Sequence, residues 1–253
     1  MTAPVVALIV FFCVCGSAAL GLLLQGVLPV HHLSTETRDV VRLTTGLIAT
    51  IAALVLSLLI SSAKSSFDRI DDELVENASK VLMLDRVLNE YGDETKEVRA
   101  LLKSDYAKRI EMLFSEKPAE EMRADGRHAE AREEHFNTKL LTLVPDGVAQ
   151  TALLARAQAI DADIEMTSAL IHVQREESLP LPLLVVLILW LSVIFSSFAL
   201  FAPRNGTAVV ALFVCALSAS CALMLILEMN SPFTGLMKIS AVPMRDTLAH
   251  LGE

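Results

Sequence analysis

The fold of this chain is decided by the segment from Leu43 to Ala63, which reads LTTGLIATIAALVLSLLISSA. It contains no charged residue and no proline. Residues 3–30, 179–202 and 207–227 are similarly apolar. Each stretch reaches the roughly 20 apolar residues that an α-helix needs to cross a bilayer. The sequence therefore predicts an all-α membrane protein with four transmembrane helices in two pairs.

The charged residues concentrate between the two pairs of predicted spans. Residues 64–178 hold 16 of the 21 Lys and Arg and 25 of the 30 Asp and Glu, so the net charge of −9 belongs to this segment. An acidic domain repels nucleic acid and anionic headgroups. We therefore expect no nucleic-acid partner. The expected partners are the lipid bilayer, further copies of the chain and inorganic ions.

This division predicts four parts of the chain. They are transmembrane helices 1 and 2 (residues 1–63), an acidic helical domain inserted after them (64–178), transmembrane helices 3 and 4 (179–230), and a tail (231–253). Residues 3–30 lack the basic start of a cleavable signal, which predicts a retained helix. Its small residues Gly16, Ala19 and Gly26 are expected to let a neighbouring helix approach.

The basic residues near the span ends predict the orientation. One side of the membrane would carry Lys64, Arg69, Arg175, Lys238 and Arg245, and the other Arg38, Arg42 and Arg204. The positive-inside rule then favours a cytoplasmic inserted domain, with both chain termini in the cytoplasm. The expected location is a bacterial inner membrane.

The second span is predicted to continue as one helix from about residue 40 to 90, because Gly46 is the only glycine between Val40 and Glu90 and proline is absent there. Its outer part has a seven-residue apolar repeat, with Asn77 in the one polar slot, and this pattern predicts packing against other helices. The repeat consists of Phe67, Ile70, Leu74, Val81, Leu84 and Leu88.

Further helices are expected at about 94–115, 146–177 and 241–251. We expect Gly92 to end the long helix and Asp93 to cap the next one. The helix at 146–177 is predicted to bury a small and apolar face made of Val148, Ala152, Ala155, Ile160, Ile164 and Ile171. The last helix is a weakly amphipathic tail that would lie at the membrane interface or against the domain.

The second span also carries a row of small and polar residues, which we call the stripe: Gly46, Thr50, Ala53, Ser57, Ser61, Lys64 and Asp68. Steps of three and four place all of them on one helical face. A small-residue face can serve helix packing, because Ser and Thr bond to the backbone and helices approach closely. It can also line a pore, with Lys64 and Asp68 as a charged ring at its mouth.

Other polar residues give weaker signals. Glu228, at the end of the fourth span, is a candidate ion or ion-pair site. His31, His32, His128 and His135 lack the spacing of metal ligands. Cys13, Cys15, Cys215 and Cys221 lie in spans and are expected to behave as small apolar side chains. No catalytic motif occurs, so we expect no enzyme activity, no cofactor and no bound metal.

Four short segments resemble the bestrophin-like family of bacterial membrane proteins. They are residues 62–68 (SAKSSFD), 84–92 (LDRVLNEYG), 198–205 (FALFAPRN) and 225–240 (LILEMNSPFTGLMKIS). The resemblance implies four spans with cytoplasmic termini. By remoter analogy to true bestrophins it implies an oligomeric ion channel whose second helix faces the pore. True bestrophins have aromatic and aliphatic rings at the pore neck, whereas this helix has no aromatic residue between Leu43 and Lys64.

The sequence thus predicts a homo-oligomeric channel with the second transmembrane helix along the ion pathway. The alternative is a non-conducting scaffold or signalling protein whose cytoplasmic helices bind a partner.

Overall fold

The computed structural model describes residues 3–29, 34–114, 135–176, 181–203, 205–233 and 235–252. All regular structure in these ranges is helical, which confirms the all-α prediction. The helices are α1 (Ala3–Val27), α2 (Thr35–Tyr91), α3 (Lys96–Phe114), α4 (135–141), α5 (Val148–Glu176), α6 (Leu181–Leu200), α7 (Gly206–Met229) and α8 (Val242–His250). A short 3₁₀ turn, Asp93–Thr95, separates α2 from α3.

Within the described ranges, four helices are long and apolar enough to cross a membrane: α1, α2, α6 and α7. They coincide with the four predicted spans. Helix α2 continues well beyond its apolar part as one uninterrupted helix, as its lack of proline predicts.

The chain divides into two compact units. The first comprises residues 1–67 and 178–231, and the second residues 68–177 and 232–253. Helix α2 contributes to both, with the division after Phe67.

The first unit has a core in which all four apolar helices take part. Small and branched side chains dominate this core, as expected where helices associate by close van der Waals packing. Its buried members are Val10, Val14 and Ala18 of α1, Ala52, Leu59 and Ala63 of α2, Leu187, Ile194, Phe195 and Ala199 of α6, and Ala216, Leu223 and Ile226 of α7.

Helices α1 and α6 come close together at Gly21. A Cβ atom built on Gly21 would collide with the carbonyl oxygen of Ser196 and lie 2.9 Å from Cβ of Ala199. Gly16 was predicted as an approach point, but a Cβ atom built on it would meet no atom within 4 Å. The reason is register: α1 buries Val14, Ala18 and Gly21, and Gly16 points away from that face.

Polar contacts secure the ends of the first unit. The side-chain amide of Gln25 donates to the carbonyl of Ala202 at 3.1 Å, which ties the end of α1 to the end of α6. The guanidinium of Arg38 lies 5.5 Å from the ring centre of Phe201, a cation–π distance. Asn205 caps α7 by accepting a hydrogen bond from the backbone N–H of Ala208.

In the second unit α2 and α5 pack antiparallel. The amide of Asn77 donates to the carbonyl of Ile164 at 3.3 Å, and Gln150, near the start of α5, donates to the carbonyl of Tyr91 at the end of α2. Five residues of the predicted repeat are buried (Ile70, Leu74, Val81, Leu84 and Leu88), which confirms the packing face around Asn77, and Phe67 is half-buried.

An ion-pair cluster accompanies this packing. The ammonium of Lys80 lies 2.9 Å from the carboxylate of Glu76 and 3.4 Å from that of Asp163 on α5. The hydrogen bond to Glu76 is the main reason that the pKa of Lys80 is raised. The cluster therefore joins α2 to α5 at a point where both helices are partly exposed.

The predicted buried face of α5 is partly wrong. Ile164 and Ile171 are buried as expected, but Val148, Ala152 and Ala155 are exposed. The six predicted residues lie on two different faces of α5. Val148, Ala152 and Ala155 share the exposed face, whereas Ile160, Ile164 and Ile171 share the opposite one. The buried face also includes Ala157 and Asp161.

The turn between α2 and α3 depends on Gly92 and Thr95. Gly92 has φ of 134°, a backbone conformation that favours glycine. The buried hydroxyl of Thr95 is 2.6 Å from the carbonyl of Leu88 and 2.8 Å from that of Gly92, so it binds the end of α2. The expected cap at Asp93 is wrong, because Asp93 lies inside the 3₁₀ turn.

The tail after α7 packs within the second unit, which agrees with one of its two predicted locations. Phe233 is buried with its ring centre 5.9 Å from that of Phe114, and Met244 is buried on α8. Near the end of the chain, Lys103 donates to the carbonyl of Leu251 at 2.6 Å.

The tail is also held by a buried ion pair. Arg99 donates to both carboxylate oxygens of Asp85 at 2.8 and 2.9 Å, and the backbone N–H of Gly252 donates to the same carboxylate at 3.1 Å. Only 5% of the Asp85 side chain is exposed. Burial raises the pKa of Asp85, but the hydrogen bonds from Arg99 and Gly252 outweigh burial and leave that pKa lowered.

Replacing Gly21 should weaken the packing of α1 against α6. Gly21→Ala is expected to destabilise the protein by about 1–3 kcal/mol, because the added methyl group overpacks a close contact. Thermal unfolding in mild detergent measures the effect. Gly16→Ala is the matched control and should not destabilise, since its Cβ meets open space and alanine favours helix. Equal unfolding temperatures for the two variants would contradict this account of the α1–α6 contact.

Breaking the Asp85–Arg99 pair should destabilise the second unit. Asp85→Asn is expected to cost about 3 kcal/mol near pH 7, because the partly buried guanidinium loses its charged partner. Since the pKa of Asp85 is lowered on folding, its contribution is present above the unfolded value near 3.9 and is lost as pH falls below it. The gap in unfolding temperature between wild type and variant should therefore shrink below about pH 4.

Glu97→Gln is the control for this prediction. Glu97 forms an exposed pair with Lys139 at 2.9 Å, and such pairs contribute little. A Glu97→Gln variant as unstable as Asp85→Asn would mean that burial of the pair is not the cause.

Candidate functional site

The stripe on α2 is the candidate site, and every residue of it is exposed among the described parts of the chain. Gly46, Thr50, Ala53, Ser57, Ser61 and Lys64 in the first unit are exposed, and so is Asp68, the first residue of the second unit. The buried residues of α2 in the first unit lie on another face: Thr45, Ala52, Leu59 and Ala63.

This arrangement follows from helical geometry. At about 100° per residue, the stripe and the buried face are centred roughly 135° apart around the axis of α2. Helix α2 thus packs against the other helices of the first unit with one side and presents the stripe on another. The stripe serves no packing within one chain among the described residues.

The hydroxyl of Thr50 shows how polar groups are satisfied on this face. Thr50 Oγ1 donates to the carbonyl oxygen of Gly46 at 2.9 Å, one turn earlier. A hydroxyl that donates to the backbone keeps its oxygen lone pairs as acceptors. The outward chemistry of Thr50 is therefore that of a hydrogen-bond acceptor.

A row of leucines flanks the stripe and was missed by the sequence interpretation. Leu43, Leu47, Leu54 and Leu58 are 64–75% exposed. Their spacing of four and seven residues places them side by side on α2. The spacing of these leucines is visible in the sequence, but an apolar residue within an apolar span does not stand out from its neighbours.

The second candidate, Glu228, lies in the last turn of α7 and is 3% exposed. The carbonyl of Glu228 accepts from the N–H of Ser231 at 3.0 Å, which closes the end of the helix. A buried carboxylate at this position needs a compensating partner. Glu228 therefore differs from the stripe residues, which are all exposed.

The remaining candidates, the histidines and cysteines, form no metal-binding group among the described residues. The described ranges contain no group of three or more His, Cys, Asp and Glu that could hold a metal ion. His31, His32 and His128 lie outside the described residues, and His135 is exposed. The four cysteines are free thiols.

A family model described as the Bestrophin-like domain matches residues 11–244. Neither the curated proteins nor the solved structures contain a match to this chain. The matched region contains the whole stripe, most of α1, the other three apolar helices and the start of α8. The chain therefore belongs to the bestrophin-like family.

Proposed function

We propose that the protein is a homo-oligomeric ion channel in which α2 lines the pathway. The observation that carries the proposal is the uncovered stripe. Small and hydroxyl-bearing side chains occupy a face of a transmembrane helix that no other described part of the chain covers. Lipid solvates such a face poorly compared with a water-filled cavity or a helix from another subunit.

The stripe has the chemistry that a pathway requires. Ser57 and Ser61 supply hydroxyl groups that can replace part of the hydration shell of an ion. Lys64 and Asp68 follow where the apolar segment ends, so several subunits would form a ring of charge there. Acceptor oxygens such as that of Thr50 can contact a cation directly.

The proposed assembly has further copies of α2 around a common axis. The exposed leucine row next to the stripe then packs between neighbouring subunits or against lipid. In this arrangement the four spans form two pairs in a bacterial inner membrane, and residues 64–178 and both termini lie in the cytoplasm. The protein carries out no enzymatic reaction and uses no cofactor.

A non-conducting scaffold is the rival function, and a feature of α5 favours it. A seam at spacings of four and three residues is exposed along this helix, opposite to its buried face. It consists of Val148, Ala152, Ala155, Ala159, Ala162, Met166 and Ala169. Such a seam fits a partner helix.

Bulky substitutions in the stripe should alter conduction. Ser57→Phe and Ser61→Phe are expected to reduce single-channel conductance at least severalfold in reconstituted bilayers, because an aromatic ring narrows the pathway. Ile51→Phe, on another face of the same helix, serves as the control and should conduct like the wild type. Silent wild-type protein, or currents that Ser57→Phe leaves unchanged, would exclude the stripe as an ion pathway.

The subunit arrangement distinguishes the two functions. Channel assembly predicts four or more subunits in mild detergent. It also predicts rapid disulfide formation between subunits for Ser57→Cys in a background without the native cysteines. Leu189→Cys on α6, also exposed in the single chain, is the comparison and should cross-link more slowly. A dimer whose Ser57→Cys variant does not cross-link supports the scaffold.

A further inference from the structure

The first unit carries an open groove between α1 and α7, with a volume of about 140 Å³. An apolar cavity of about 150 Å³ is large enough to hold benzene. The groove therefore has room for the side chain of a leucine, which is smaller than benzene. Its main lining residues are Cys15, Ala18 and Leu22 of α1 and Val209, Phe213 and Ala216 of α7.

Small side chains form the floor of this groove, and aromatic packing holds its rim. Ala18 and Ala216 are buried, whereas Val209 and Phe213 are about half exposed. The ring of Phe213 packs edge-on against Phe11, with 5.5 Å between the ring centres. In a membrane, lipid is as apolar as leucine, so helices associate through close packing at small residues. An alanine floor between firm walls is therefore suited to receive another helix.

The leucine row of α2 has side chains that match the groove in length. Leu47 and Leu54 are exposed and seven residues apart, which is about 10.5 Å along a helix. The groove also extends over seven residues of each helix, from Cys15 to Leu22 and from Val209 to Ala216. Two leucines at this spacing can enter its two ends as knobs enter holes. Both surfaces are exposed among the described residues, so they do not cover each other within one subunit.

The row and the groove lie toward the same end of the first unit. Gln25 donates to the carbonyl of Ala202 at 3.1 Å, and the guanidinium of Arg38 is 5.5 Å from the ring centre of Phe201. The end of α1 and the start of α2 thus lie beside the end of α6, and α7 begins after a short connection. The groove begins five residues before the end of α1, and the row begins five residues after Arg38.

This common level matters for contacts between subunits. Copies of the chain that form a ring in one membrane are related by rotation about an axis along the membrane normal. Such a rotation keeps every residue at its own level. The leucine row of one copy can therefore meet the groove of the next copy without a shift along the helices.

We propose that Leu47 and Leu54 of one subunit dock into the α1–α7 groove of the next subunit. The contact is head-to-tail, because the row and the groove are different surfaces of the chain, and repeated contacts of this kind can close into a ring. The inference rests on the homo-oligomer of the proposed function but does not require conduction. An acyl chain could also fill the groove, but a lipid tail has no need of the alanine floor.

Disulfide cross-linking of the full-length protein in membranes tests this contact. Cys15 supplies a thiol in the groove, and the other three native cysteines are replaced by alanine. Leu47→Cys, Leu54→Cys or Leu58→Cys is then added singly, and copper phenanthroline is the oxidant. Each variant is also made with Cys15→Ala, which should abolish its cross-linked products.

A disulfide requires Cα atoms within about 4.4–6.8 Å of each other. Fast cross-linking is therefore expected for whichever of Leu47→Cys and Leu54→Cys lies opposite Cys15. Leu58→Cys, one turn further along the row, should react at least severalfold more slowly. Head-to-tail links join each subunit to two neighbours, so the products should extend beyond the covalent dimer to the full ring.

Filling the groove provides a second test. Ala19→Phe adds a ring at an exposed position that lines the groove, and it should slow the cross-linking at least severalfold. Ala211→Phe is the matched control, because Ala211 is exposed on α7 but does not line the groove. Unfolding temperatures check that both variants fold.

Slow cross-linking of both Leu47→Cys and Leu54→Cys, in a protein that still purifies as an oligomer, would overturn the proposal and leave the groove to lipid. Products that stop at the covalent dimer would also overturn it, because a two-fold pair forms no ring. Bilayer recordings separate this contact from the channel. Silent protein with the full series of products would exclude conduction and support the contact, whereas conducting protein without that series would exclude the contact alone.

Discussion

Bilayer hydrocarbon offers no hydrogen-bond partners, and the first unit is organised by this constraint. Every backbone N–H and C=O inside the membrane must be satisfied within its own helix, so the apolar segments form helices throughout. The same constraint acts on side chains. Thr50 meets it by donating to Gly46 one turn earlier, and the small core residues meet it by carrying no polar group. The other hydroxyl groups on this face, those of Ser57 and Ser61, are better solvated by water or by a second helix than by lipid.

The positions of the helices could be predicted from the sequence, because hydropathy and heptad spacing are local signals. Asn77 is an example. Its position in an apolar repeat predicted a polar residue on the packing face, and its side-chain amide donates to the carbonyl of Ile164 between α2 and α5. The prediction of which helical face is buried was wrong where alanine is common. Alanine occupies both the buried and the exposed face of α5, so composition alone gave no contrast between Ala155 and Ala157.

Contacts between distant segments could not be predicted. Nothing in the sequence near Asp85 shows that it pairs with Arg99, because many acidic and basic residues in the same segment are equally available. Gly21 and Gly16 look alike in the sequence of α1, yet only Gly21 faces the backbone of α6. The exposure of the stripe also needed the structure, since a small-residue face predicts close packing as readily as an open surface.

The channel and scaffold functions correspond to different exposed faces of the chain. The uncovered face of α2 lies mainly among residues of the first unit and is rich in hydroxyl groups. The exposed seam of α5 belongs to the second unit and consists of alanine, valine and methionine. Both faces can be occupied in one assembly, because they lie on different helices. What separates the two functions is whether the face of α2 meets water or protein.

The bond between Asp85 and Gly252 has a consequence for biogenesis. The two residues are 167 positions apart in the chain, and the segment between them includes two apolar helices that enter the membrane. At a translation rate of about 5–20 residues per second, Asp85 leaves the ribosome on the order of ten to thirty seconds before its last partner is made. During that interval the carboxylate has the charges of Arg99 and Lys103 to compensate it but not the N–H of Gly252. The second unit is therefore completed only after the later spans have been synthesised, although most of its residues come early.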